Sequence, residues 1–230
     1  MIWIMVSALL TAGSCKKDDT NGNPIQTIKS DFSQGKDNWV AGFAEYDADQ
    51  EDTYELEEGL HALPEPLDVT KEAYLLSGMN RSDDLFMYLK RQVSGLQPNT
   101  SYKIDFVVHL ASNARSGGVG AGGAPGEAVG VGVGATAIEP VADADEGNFY
   151  TMNIDKINQC CTDGEDMVVI GDVANGSEVY EYKMIERAGT FTATSDTEGN
   201  LWLIVGTDSG YEGKTSLYYT EIDVKLSNII

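Results

Sequence analysis

The chain has 230 residues and a mass of 24.8 kDa, and 42% of its residues are hydrophobic, enough to bury the core of one large domain. Fifteen basic against 37 acidic side chains leave a net charge of −22. That balance argues against nucleic acid, whose phosphates need a basic surface, and against adsorption to an anionic membrane face, while it tolerates cations such as calcium.

Residues 1–14 open with an apolar, uncharged run, Met1 to Gly13. It is shorter than the roughly 20 residues that span a bilayer and reads as the core of a secretion signal. The run ends in Ala12-Gly13-Ser14-Cys15. This resembles the lipobox of bacterial lipoproteins, in which small residues let the signal peptidase close on the backbone and the cysteine thiol forms a thioether to diacylglycerol. The resemblance implies a signal peptide over 1–14 and a lipid anchor on Cys15. Lys17-Asp18-Asp19 follows closely. A lysine and two acids after the lipidated cysteine resemble the export signal of surface lipoproteins in certain Gram-negative bacteria, which implies an outer-membrane, outward-facing location. Residues 15–30 are polar, with Gly, Pro and Asn, and read as a flexible tether to a domain over 31–230.

From Asp31 onward no helical periodicity of useful length occurs, and short apolar or alternating runs recur between turn residues. An aromatic-rich opening spans Phe32 to Phe43. Strands are expected at Glu72 to Gly78, Leu85 to Ser94 and Ser101 to Ser112. The last of these is the clearest, with Tyr102, Ile104, Phe106, Val108 and Leu110 on one face. Further strands are expected at Ala128 to Ile138, Met167 to Val173, Val179 to Glu186, Thr190 to Thr194 and Leu201 to Gly206, with a closing strand that sets Tyr218, Ile222, Val224 and Leu226 on one face. About ten antiparallel strands in one domain predict an all-β, jelly-roll-like sandwich.

Three segments resemble jelly-roll carbohydrate-binding modules. They are Asp31-Phe32 with Trp39, the turn Ser94-Gly95-Leu96-Gln97-Pro98-Asn99-Thr100-Ser101-Tyr102, and the closing Leu217-Tyr218-Tyr219-Thr220-Glu221-Ile222. The resemblance implies the fold and a glycan or polysaccharide ligand. Many such modules bind a structural calcium through an aspartate in the last strand. Thr220 stands at that position and brings no carboxylate, so the ion site does not carry over.

Three loops offer ligand groups. Asn80-Arg81-Ser82-Asp83-Asp84 combines amide, guanidinium, hydroxyl and carboxylates, which suit sugar hydroxyls or a structural Arg–Asp pair. Asn113 to Glu127 is glycine-rich and able to shape a cleft, with Glu127 at its end. Thr207 to Gly213 carries Asp208, Tyr211 and Glu212, which suit calcium, sugar stacking, or a plain hairpin loop. A ligand site built from Asn80, Arg81, Asp83, Asp84, Glu127, Asp208, Tyr211 and Glu212 requires these loops to meet. In the strand after the glycine loop, Gly130, Gly132 and Gly134 share one face, open to another backbone, a flat ligand or tight sheet packing.

Two acidic runs, Asp47 to Asp52 and Asp143 to Glu146, lack the full calcium-loop spacing and read as solvated loops. Cys160 and Cys161 form either a strained ring disulfide or two thiols. No nucleophile elbow, HExxH or P-loop occurs. The expected function is a lipid-anchored surface module that binds polysaccharide or glycoconjugate, with calcium the one cofactor left open. An adhesion lipoprotein with a protein partner, or a glycan-active enzyme, are the alternatives.

Overall fold

The structure is a computed structural model and describes residues 25–159 and 161–229. The expected leader, Cys15, the start of the expected tether and Cys160 lie outside these residues. Fourteen strands run in chain order: β1 (Ile25–Asp31), β2 (Val40–Ala44), β3 (Tyr46–Asp47), β4 (Glu57–Ala62), β5 (Glu72–Met79), β6 (Leu85–Val93), β7 (Ser101–Ser112), β8 (Val129–Thr136), β9 (Ala142–Ala144), β10 (Phe149–Met152), β11 (Met167–Asp172), β12 (Lys183–Thr194), β13 (Leu201–Ser209) and β14 (Lys214–Asn228). They form an antiparallel β-sandwich, as the alternating runs predict. One sheet has the order β12-β7-β14-β5-β4, and the other β11-β8-β13-β6-β2.

The main core lies between these sheets. Ile104, Phe106, Val108 and Leu110 of β7 meet Val129, Val131 and Val133 of β8 and Leu201, Leu203 and Val205 of β13. All of these side chains obey the two-residue period of a strand. β14 is the spine of the first sheet. It pairs with β7 on one side, and on the other first with β5 (Lys214–Tyr219) and then with β1 (Glu221–Ser227). A bulge between Tyr219 and Glu221 falls where β5 hands over to β1. It turns Thr220 and Glu221 outward in succession, so that Tyr219 before it and Ile222 after it both remain buried, and Tyr218, expected on the face of Ile222, Val224 and Leu226, lies on the opposite one. The Thr220 hydroxyl donates to the His109 carbonyl (3.1 Å) across the bulge.

The second sheet has two covered faces. Its outer face carries Phe86, Tyr88, Ile204 and Met167, packed under Ile154 and Ile157 from the segment at 137–166. β9 and β10 lie in that segment and form a small sheet with β3. The glycine face of β8 is filled by the same segment. A methyl group on Gly132 would sit 2.7 Å from Ile157, and one on Gly134 would collide with the Asp166 carbonyl. Of the readings open in the sequence, tight packing is the one realised, against the Cys161 sulfur at Gly130, the Ile157 side chain at Gly132 and the Asp166 backbone at Gly134.

Three boundaries differ from expectation. Residues 25–30, read as the end of the tether, form β1 instead. Ile28 is deeply buried, and Ser30 is buried through its hydroxyl, which accepts from the Trp39 indole (2.9 Å). That leaves little apolar signal to read. The expected strands at 179–186 and 190–194 are one strand, β12, held straight through Gly189 by twelve successive pairs with β7. Val179 to Tyr182 stand outside it. The loop expected from Thr207 is strand as far as Ser209, because β6 pairs with it down to Leu85.

The role of β1 can be measured. A chain starting at Asp31 keeps the Asp31–Glu221 pair but loses the pairing along Ile222–Ser227 and the burial of Ile28. It should be less stable than a chain starting at residue 20 by at least about 2 kcal/mol in urea melts, the worth of one buried aliphatic side chain. Equal midpoints would show that β1 contributes nothing.

Candidate functional site

The three loops singled out in the sequence do meet, at one end of the sandwich. Asn80 is the fastener. Its side-chain amide donates to the carbonyls of Ser209 (2.6 Å) and Tyr211 (3.1 Å), and its carbonyl accepts from the backbone of Ser82 and Leu85. The Glu212 amide donates to the Ala121 carbonyl (2.9 Å), which brings in the glycine loop. With its polar atoms so engaged and its side chain buried, Asn80 holds loops together and has no capacity left for a ligand.

The other predicted residues separate. Arg81 is exposed and its Nε reaches the Thr53 carbonyl at 3.5 Å. Asp83 is exposed at a turn position with φ of 64°. Glu127 accepts from the Gly117 amide (2.8 Å) and braces the glycine loop, and the Glu212 side chain points to solvent. Asp84 and Asp208 belong to a buried charged cluster, and Tyr211 lines a separate cleft.

The cluster centres on Lys156, from the segment that covers the second sheet. Its ammonium donates to Asp208 (2.5 Å) and lies 3.5 Å from Asp84. Asp208 is 0% exposed, on the strand face directed away from the main core. Burial pushes its carboxyl well above the usual range. Lys156 opposes that shift, and the neighbouring Asp84 adds to it. Burial works against the Lys156 ammonium too, but the attraction of Asp208, Asp84 and Glu45 outweighs it and raises its pKa. Burial likewise raises Glu45. A polar cleft of about 290 Å³, lined in part by Glu45, Asp84, Asp155 and Asp163, opens above this cluster. Asp208 itself is closed off beneath Lys156. The cluster therefore fastens the covering segment to the sheet.

A second cleft, of about 110 Å³, lies between Tyr180 and Tyr211, with Asn113, Ser216 and Lys214 among its lining residues. Tyr180 is 63% exposed, and the Arg115 guanidinium lies 5.4 Å from its ring centre. The Tyr211 ring occupies space that only glycine leaves: a methyl group on either Gly120 or Gly213 would collide with it. One tyrosine is thus locked by its neighbours and the other stands open. Sequence reading singled out Tyr211, named Asn113 as the start of the cleft-shaping loop, and placed Tyr180 in a strand. Tyr180 was hidden by an apolar, aromatic run that reads as a strand. Beyond the cleft, Tyr182 and Tyr218 stack edge to face on the outside of the first sheet, ring centres 5.4 Å apart.

The acidic runs are structural. Asp47 caps the Asp49 amide, and Asp145 accepts from the amides of Gly147 and Phe149. Among the described residues no group of three His, Cys, Asp or Glu side chains is placed to hold a metal ion.

The sequence matches no protein-family model and no curated protein. Among solved structures it is similar to the enzymatically active domain of bacteriophage CBA120 tailspike protein 4, at 9% identity and a TM-score of 0.37, over 84% of this chain. The chain spans 19% of that tailspike structure. It is also similar to a CBM4 module (13% identity, 89% of this chain and 95% of that one, TM-score 0.34) and to TmCBM61 in complex with β-1,4-galactotriose (11% identity, 84% and 92%, TM-score 0.34).

Removing Lys156 tests the cluster. Asp208 and Glu45 have folded-state pKa values above their unfolded ones. Their protonated forms therefore stabilise the fold fully below about pH 4, and that contribution is lost as pH rises through the folded values. Lys156→Met should be least damaging near pH 4. By pH 8 it should cost about 3–5 kcal/mol, the range for breaking a buried pair. Adding Asp208→Asn should flatten this dependence. Urea melts at the two pH values check it, and a pH-independent loss would contradict the arrangement.

Proposed function

We propose that the protein is a glycan-binding module whose primary contact is the cleft between Tyr180 and Tyr211. The observation that carries this reading is an exposed tyrosine beside a fixed one, over a shallow cleft with amide and hydroxyl groups. Tyrosine rings offer an apolar face to the C–H side of a sugar, and Asn113 and Ser216 offer both donors and acceptors to its hydroxyls. Because neighbouring glycines hold the Tyr211 ring in place, little side-chain entropy is lost there on binding. The buried position of Asp208 speaks against a catalytic carboxylate pair with Asp84, since substrate has no path to it.

The same proposal includes a lipid anchor at Cys15 and an outward-facing position on the outer membrane. Its support is the leader, the small residues before Cys15 and the Lys17-Asp18-Asp19 run.

Two measurements bear on this. In affinity electrophoresis of the full chain across a polysaccharide panel, at least one gel should retard the protein. Tyr180→Ala should then weaken binding by about tenfold, the effect of truncating a central aromatic contact, with no change in thermal midpoint because the ring is exposed. Absence of retardation by every polysaccharide would overturn the reading. For the anchor, cells fed an alkyne fatty acid should label the wild-type chain and leave Cys15→Ser unlabelled. Equal labelling would exclude this anchor.

A further inference from the structure

We infer that the tyrosine cleft is one end of a groove along the outer face of β14, which holds a linear glycan chain free of acidic groups. The inference rests on the glycan reading above and extends it from a single cleft to an elongated site.

The argument begins with β14. Its outward-facing side chains beyond Lys214 are, in order, Ser216, Tyr218, Thr220 and Glu221, the last two half-buried and turned out together by the bulge. Ser216 lines the tyrosine cleft. Thr220 and Glu221 line a larger cavity, of about 380 Å³, walled by Leu63, Leu67 and Met184. Tyr218 stands between the two cavities. It packs on Tyr182, and both belong to an apolar cluster with Leu63 and Leu67. Both rings are only partly buried, so aromatic surface continues from one cavity to the other. From Lys214 to Glu221 is seven strand steps, or about 23 Å at roughly 3.3 Å per residue. That length exceeds any single sugar ring and suits an extended chain lying along the strand.

Charge selects among chains. In the larger cavity Asp31, Asp68, Glu72 and Glu221 face a single base, Lys71. The whole protein carries −22. A uronate-bearing polymer would meet repulsion both on approach and in the groove, whereas a neutral or amine-bearing chain would not. Met184 is 46% exposed at the rim, so it can be altered without disturbing the core.

The experiment is calorimetry on the full chain in mild detergent. The probes are neutral β-1,4-linked gluco-, manno- and xylo-oligosaccharides of two to six units, chitosan oligomers, and oligogalacturonates of equal length. The expected result is affinity that rises at least tenfold from dimer to hexamer in a neutral or amine series, with no binding of oligogalacturonate. Met184→Ala and Glu221→Gln should weaken the hexamer and leave the dimer unchanged, while Tyr180→Ala weakens both. Length-independent affinity, sensitive only to Tyr180→Ala, would overturn the groove and leave the glycan reading standing. Tightest binding of oligogalacturonate would overturn the charge argument. Failure of wild type to bind any oligomer would overturn both the groove and the reading beneath it.

Discussion

The bulge at Thr220 is the constraint on which the first sheet turns. A strand of fifteen residues keeps one face buried only if its alternation is never broken, yet β14 changes partner halfway, from β5 to β1. One extra residue absorbs the change. Tyr219 and Ile222 stay in the core, and two polar side chains are released together to the outer face. Without it, either Glu221 or the apolar run after it would face the wrong medium, a reversal that affects every later side chain in the strand. The same extra residue makes the floor of the larger cavity, so packing and surface shape have one cause.

The second sheet solves a different problem. Both of its faces are covered, and the cover is attached by two means. Glycines on β8 let Ile157 and the Asp166 backbone approach as closely as side chains normally would. Lys156, one residue from Ile157, then reaches Asp208 on β13. Apolar contact supplies most of the attachment, and the ion pair fixes its position. A buried carboxylate with one ammonium partner stabilises little in net terms but makes any other placement of the segment costly.

Much of the sandwich was legible in the sequence because its core strands carry a two-residue period that needs no tertiary context. β7 was read with its limits intact, and the glycine face of β8 was recognised as a place of close approach. Elements whose burial depends on polar groups were not legible. β1 buries Ile28 and is held by pairing with β14. Asp208 sits in a sequence that reads as a turn, and only the pairing with β6 shows that it is strand. Of the cleft, Tyr211 was singled out as a ring able to stack on a sugar, while Tyr180 was lost within an apparent strand. Asn80 has the composition of a ligand residue and the hydrogen bonds of a fastener, a distinction that residue type cannot make.

The antiparallel pairing of β1 with β14 also sets a direction. β1 enters the sheet at Ile25, beside Ser227, whereas the tyrosine cleft lies at the Lys214 end of the same strand, thirteen steps or about 40 Å away. The entry of the chain and the cleft thus lie at opposite ends of one strand, so that attachment at the first leaves the second open.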